Sequence, residues 1–419
     1  MRKIRIKLVD ICKKNQLLRT ILRKIISTKY KIQYSIYKSK NKTDEKLIVF
    51  TSFMGRTYSC SPKAIYEEMI NNKKYKDYTF IWGFKNPESK KSIKKLEKAI
   101  LVEYKSKKFL EYCSKAKFII SNSRLPESIT FREEQKYVQC WHGTPLKKLG
   151  YDLTAEGGNA LNSLKEMKNK YKEDSRRYTY LLSPSKFTTE KLTSAFNLKE
   201  NNKNVKIIEQ GYPRNELMFK FNDDDIKRIK IACNISLKDK RKIILYAPTW
   251  RDNQHTSGVG YTYNLGIDFD KLQSKLEKDY ILLFRPHYFV ANKFDFKKYK
   301  NFIVDVSSYE DITDLYCIAD MLITDYSSVF FDYANLKRPI LFYMYDKKEY
   351  EEDIRGFYIS LDQLPGPIVE KENDLIREIL NIDKGNNYIE KYKEFNRKYN
   401  YLDDGTVSKR VLKELYKKQ

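Results

Sequence analysis

Residues 321–342, MLITDYSSVFFDYANLKRPILF, decide how this chain is read. Residues 321–324 are apolar and read as a buried strand. Asp325, Tyr326, Ser327 and Ser328 form a tight polar turn, the residues up to Asn335 read as a helix, and 339–342 as a second strand. The two serines stand where the helix begins. Free backbone N–H groups there favour an anion, and serine hydroxyls add donors; the ordinary role of such a serine is an N-cap. Asp332 follows Ser328 by four residues, so the two share a helix face.

The same alternation extends outward in both directions. Upstream, strands are expected at 46–50, 78–82, 100–104, 118–121, 137–140, 178–182 and 205–208, with helices between several of them. A second series has strands at 243–247, 281–284, 302–304, 321–324 and 339–342, and residues 373–418 read helical. Strands alternating with helices predict parallel sheets, with functional loops at the strand C-terminal ends. The expected division is a basic amphipathic segment 1–45, a Rossmann-like domain 46–215, a second Rossmann-like domain 216–395 and a C-terminal helix 396–419, with a cleft between the two α/β units.

Charge and cysteine content narrow the function class. The chain of 419 residues carries 82 Lys and Arg against 55 Asp and Glu, a net +27, which calls for an anionic partner without naming it. Residues 1–42 hold 14 of the basic residues and one acid, Asp10. There, Leu18, Ile21, Leu22, Ile25 and Ile26 make an apolar stripe flanked by Arg19, Arg23 and Lys24. Such a helix suits an anionic membrane surface; the alternative is a terminal helix docked on the globular body. Residues 38–45 read as a linker. The six cysteines are scattered without a CxxC pair and read as reduced, buried thiols. No apolar run is long enough to span a bilayer, and no secretory signal is evident. No helix-turn-helix, RRM or zinc pattern points to nucleic acid.

Polar clusters recur where strands end. They are Trp141-His142-Gly143-Thr144-Pro145, Arg285-Pro286-His287, Ala247-Pro248-Thr249-Trp250-Arg251, Gly211-Tyr212-Pro213-Arg214-Asn215 and the opening stretch. Arginine offers a planar fork to phosphate, and histidine can serve as a general base near neutral pH. Five such clusters at similar topological places argue for a phosphate-bearing ligand between the domains.

These blocks, WHGTPLKKLG, SPSKFTTEKL, GYPRNELMF, ILYAPTWRDN, LLFRPHYF and RGFYISLDQLPGPIV among them, occur in order over residues 46–400. Together with SFMGRTYSCSPKAIYEEM they resemble the CDP-glycerol glycerophosphotransferase family of teichoic-acid primases and polymerases and their capsule-synthesis relatives. The resemblance implies a GT-B-like fold in which a polyol phosphate is transferred and CMP leaves. It also implies functional roles for His142 and His287 and nucleotide-polyol contacts from Arg214, Pro248, Thr249, Arg285, Ser327, Ser328 and Asp332. Gly143 and Thr144 lie beside His142, and Pro286 lies between Arg285 and His287.

The expected chemistry is attack by an acceptor hydroxyl on the β-phosphorus of CDP-glycerol, with His142 taking the proton; the sequence leaves exchange of that role with His287 open. Arg285 and His287 would steady the departing CMP, Ser327 and Ser328 would hold phosphate oxygens, and Asp332 would accept from a ligand hydroxyl. No cofactor is called for. Asp252 and Asp325 leave room for Mg²⁺ without a motif that indicates it. The expected setting is peripheral, on the cytoplasmic face of the cell membrane, with a lipid-linked acceptor. Competing readings are a CDP-ribitol transferase, a GT-B sugar transferase, and a non-enzymatic binder of anionic polymers.

Overall fold

A computed structural model describes residues 16–154, 163–249, 255–256, 260–261, 266–286, 295–348, 356–382 and 388–417. The first sheet holds seven strands: β1 (Asp44–Thr51), β2 (Thr79–Phe84), β3 (Ile100–Glu103), β4 (Ala116–Ser121), β5 (Lys136–Gln139), β6 (Tyr180–Ser183) and β7 (Lys206–Glu209). They lie in the order β3-β2-β1-β4-β5-β6-β7, all parallel. The second unit begins with β8 (Lys242–Tyr246). A short hairpin follows, β9 (His255–Thr256) against β10 (Gly260–Tyr261). Then come β11 (Tyr280–Phe284), β12 (Ile303–Asp305), β13 (Met321–Thr324), β14 (Ile340–Tyr343) and β15 (Ile368–Val369). Without the hairpin these form a parallel sheet in the order β12-β11-β8-β13-β14-β15.

Both sheets therefore reverse direction beside their first strand, between β1 and β4 and between β8 and β13. A doubly wound sheet opens a crevice at that switch point. The strands are buried on both faces, as parallel strands covered by helices must be. One cluster on the first sheet includes Ile48, Phe50, Tyr66 and Trp82, and the other Val49, Ile81, Phe109 and Tyr137. The second sheet is sandwiched in the same way, with Leu245, Leu322 and Phe330 on one side and Ile244, Leu282 and Leu341 on the other.

Three details differ from the sequence reading. The expected linker 38–45 is ordered: the first described helix runs Gln16–Lys40 and β1 starts at Asp44. That helix is fastened to the first domain by Tyr34 Oη donating to Thr130 O (3.0 Å), Lys38 Nζ to Phe131 O (3.0 Å) and Arg132 Nη2 to Asn41 O (2.6 Å). Its outer side leaves Ile25, Ile26, Ile32 and Ile36 exposed. Second, the helical C-terminus is three helices, Glu372–Ile382, Ile389–Tyr399 and Val407–Leu415. The last of these returns to the first sheet, where Val407, Val411, Leu412 and Leu415 join the core around Phe50 and Trp82. Third, β15 and the hairpin strands, two residues each, carry too little periodicity to be read. The described cysteines, Cys60, Cys113, Cys140, Cys233 and Cys317, are free and buried. No described helix is long and apolar enough to cross a membrane.

Candidate active site

After β5 the chain turns abruptly. Trp141 takes a left-handed conformation (φ 52°), uncommon for a side chain of that size and a mark of a site that needs its backbone held. Its indole is buried against Phe196, and its backbone N–H donates to Gln139 Oε1 (3.0 Å). The turn presents His142 half-buried between the Trp141 ring (4.4 Å between centroids) and the edge of Phe53 (5.8 Å). Nδ1 of His142 lies 2.8 Å from the carbonyl of Asn122, at the end of β4. That bond assigns the proton to Nδ1 and leaves Nε2 with its lone pair. Burial pushes the imidazole down to about 4, against the Asn122 carbonyl, with Arg214 and Arg124 adding to the depression. His142 is thus neutral at physiological pH.

Arg214 ties this turn to the second domain. Its Nη1 donates to the His142 carbonyl (2.6 Å), and its Nη2 pairs with Asp332 Oδ2 (3.0 Å). Both side chains are almost fully buried, at 7% and 3% exposure. Burial raises the Asp332 carboxyl, opposed by Arg214; for Arg214 burial lowers, and Asp332 first, with Cys60, Tyr316 and Asp311, more than restores, so the guanidinium sits above its ordinary range. Asp332, read from sequence as a ligand for substrate hydroxyls, pairs with Arg214 in this structure. Tyr212 Oη donates to the next carbonyl, Gly143 O (3.3 Å).

Gly143 (φ 145°) faces Ser328: a Cβ built there would lie 3.2 Å from the serine Oγ. Two loops far apart in sequence are thereby brought side by side, one from each domain. The helix opened by the serines is Val329–Tyr333, only a little over one turn, followed by a 3-10 turn Ala334–Leu336. Ser328 makes no capping bond, and Ser327 Oγ accepts only a long 3.5 Å bond from Val329 N. Capping therefore does not account for this pair. The ends of β8 and β13 are tied together at the switch point: Asp325 Oδ1 accepts from Thr249 N (2.8 Å) and Tyr326 N (2.6 Å), and Thr324 Oγ1 donates to Ala247 O (2.8 Å). Pro248 and Thr249 are buried beside it. Thr144 is buried and accepts from Thr188 Oγ1 (3.4 Å).

Arg285 and Pro286 are half-buried at the end of β11. Arg285 Nη1 donates to Ser307 O (2.9 Å) and Val306 O, so it braces the loop after β12. Burial lowers the guanidinium, opposed by Asp311 and other acidic neighbours. His287 lies outside the described residues. Arg214 is also one wall of a cleft of about 930 Å³ along the same seam, which includes no other residue of the sequence-predicted site. Lys63 and Asp311 (2.9 Å) pair across the domains there. Among the described residues no group of three or more His, Cys, Asp or Glu could hold a metal ion.

Sequence reasoning missed Asn122 and Tyr212. Asn122 stands in Ser121-Asn122-Ser123 directly after a strand, the same kind of place as the five clusters, and Tyr212 stands within one of them.

Residues 32–417 match the model of the family described as CDP-Glycerol:Poly(glycerophosphate) glycerophosphotransferase. The chain belongs to this family. A teichoic acid poly(glycerol phosphate) polymerase of Staphylococcus epidermidis is 39% identical over 95% of this chain, which spans only 55% of that relative's length. A teichoic acid glycerol-phosphate transferase of Staphylococcus aureus is 39% identical over 92% of this chain and 96% of its own. The S. aureus ribitol-phosphate polymerase TarK matches at 28% over 93% of this chain and 72% of its own. Among solved structures, a histidine-to-asparagine variant of the wall teichoic acid polymerase TagF soaked with CDPG superposes with a TM-score of 0.81 at 36% identity, covering 96% of this chain and 97% of that one. The GT-B-like reading of the two facing sheets stands on that likeness.

Proposed function

We propose that this chain transfers glycerol phosphate from CDP-glycerol to a hydroxyl of a membrane-lipid-linked teichoic-acid or capsular acceptor. The observation that carries the reading is the meeting of His142-Gly143 with Ser328 across the two domains. It puts a base with a free lone pair beside hydroxyls not used for capping. The acceptor hydroxyl loses its proton to His142 Nε2 as its oxygen attacks the β-phosphorus. The bond to the CMP oxygen breaks and CMP leaves. Ser327 and Ser328 donate to the phosphoryl oxygens, where charge accumulates in the transition state. Arg285 and His287 receive the departing CMP, and Pro248, Thr249 and Pro286 shape the wall around it. Arg214 and Asp332 hold the base loop in place rather than touching the donor.

Glycerol is favoured over ribitol because the glycerol-phosphate relatives are the more similar ones. Membrane contact is supported by the exposed isoleucines along a lysine-rich helix whose other side is docked on the body. On this reading the enzyme works on the inner face of the cell membrane, where its lipid-linked acceptor is anchored. Incubation with CDP-glycerol, CDP-ribitol and UDP-sugars, with assay of the released nucleotide, tests the reading. CMP release from CDP-glycerol is the expected result. UDP release without CMP would establish a sugar transferase in its place.

A further inference from the structure

Residues 401–406, Tyr-Leu-Asp-Asp-Gly-Thr, carry two adjacent acids with opposite fates. Asp404 pairs with Arg410 (2.5 Å) and accepts from Thr406 N (2.7 Å) near the surface. Asp403 is turned inward, 8% exposed, and no cation pairs with it among the described residues. Its partners are three N–H donors from two other segments. Oδ1 accepts from Tyr212 N (2.7 Å), and Oδ2 accepts from Asn215 Nδ2 (2.6 Å) and Asn335 Nδ2 (3.1 Å). Gly211 (φ 98°) permits the close approach: a Cβ there would meet Leu402 O at 2.6 Å and Asp403 Oδ1 at 3.0 Å. A buried carboxylate without a cation is costly to hold, so its use here calls for a reason.

The reason lies in what the donors do next. Tyr212 donates to Gly143 O, and Arg214, between Tyr212 and Asn215, donates to His142 O and pairs with Asp332. Asn335 belongs to the turn that continues the Ser328 helix. We infer that Asp403 is a positioning residue for the proposed transfer: its ionised carboxylate fixes the 211–215 turn against the turn that ends the Val329–Tyr333 helix and so sets the base loop against the serines that open it. The inference rests on the reading of the site given above. Asp403 never meets substrate; it acts through Tyr212, Arg214 and Asn335.

The ionised form accepts all three bonds at full strength, whereas a protonated carboxyl must place an O–H among N–H donors and weakens as an acceptor. Burial raises Asp403 to about 7, with the Asp332 charge adding and the three N–H groups opposing. The charged and titratable groups around it are Tyr212 on the turn, Asp332 on the helix, and Asp404 and Arg410 on its own segment. The sign for stability is opposite to that for activity. A carboxyl with a raised folded-state pKa binds its proton more tightly when folded, so acidification through this range strengthens the fold while it releases the turn.

The test is CMP release from CDP-glycerol by the full chain across acid to weakly alkaline pH, with thermal melting alongside. Wild-type kcat is expected to fall as pH drops through about 7, with the donor KM little changed and no parallel loss of melting temperature. Asp403→Asn, which puts an amide N–H₂ among the donors, is expected to lower kcat roughly tenfold to a hundredfold and to lose that acid limb while melting like the wild type. Tyr212→Phe keeps the backbone N–H to Asp403 but removes the bond to Gly143 O; it is expected to lower kcat and retain the limb. An Asp403→Asn protein with wild-type kcat and the same limb overturns the inference. Should that variant fail to fold, wild-type kcat in Tyr212→Phe overturns it instead. A wild-type protein that releases no CMP refutes the proposed transfer itself, a separate outcome.

Discussion

The two sheets have the same strand order around the same kind of switch point, yet they equip their crevices differently. In the first domain the loop after β5 is held at four polar groups in succession. Asn122 fixes His142 Nδ1, Arg214 and Tyr212 take the carbonyls of His142 and Gly143, and Gln139 takes Trp141 N. In the second domain the bracing is below the loop, through Asp325 and Thr324, and the serines above it do little for the helix they open. One topology thus supports two kinds of site. A base must have one tautomer and one orientation, so its backbone is locked. In the proposed transfer, serines that receive a phosphate must yield their hydroxyls to it, which fits their being left unspent on structure.

The sharpest way to break this contrast is at the base. His142→Ala should lower kcat by on the order of 10² to 10⁴ without raising the donor KM in proportion, read by steady-state CMP release. A variant with full activity would remove the first domain from the chemistry. Next in size is the brace between the halves. Arg214→Ala leaves Asp332 buried and unpaired, and denaturant unfolding should show a loss of about 3–5 kcal/mol; a stability change near zero would mean that the pair is dispensable. Smaller again, Ser328→Ala should mainly raise the donor KM, by about 1.5–3 kcal/mol in binding, as expected for a hydrogen bond to a charged group. A kcat effect with unchanged KM would reverse the division of labour drawn here.

Much of this was legible because parallel sheets write themselves as short apolar runs separated by helices. All twelve strands read from sequence are present, since Val, Ile, Leu and aromatic side chains fill both faces of each sheet. The clusters at strand ends were legible for the same reason: topology puts strand C-termini at the cleft. What was illegible depends on partners distant in sequence. The pairing of Asp332 with Arg214 was hidden because nothing nearby in sequence reveals it. Residues 38–45 looked like a linker because the carbonyl-binding Arg132 lies about ninety residues further on. Asp403 gave no signal at all, as one acid of an adjacent pair in a polar turn; only the return of the chain to the first domain turns it inward.

That return has a consequence for how the protein is made. The first sheet is complete once β7 has been synthesised, but Val407, Val411, Leu412 and Leu415, which seal one side of it beside Phe50 and Trp82, come only after the whole second domain. A nascent chain therefore carries an unsealed apolar face on its first domain while the second folds, although domains ordinarily fold in order as they emerge. Translation stopped anywhere before Asp403 leaves both that face open and the 211–215 turn unanchored, so truncated products should be targets for chaperones and proteases rather than slow versions of the enzyme.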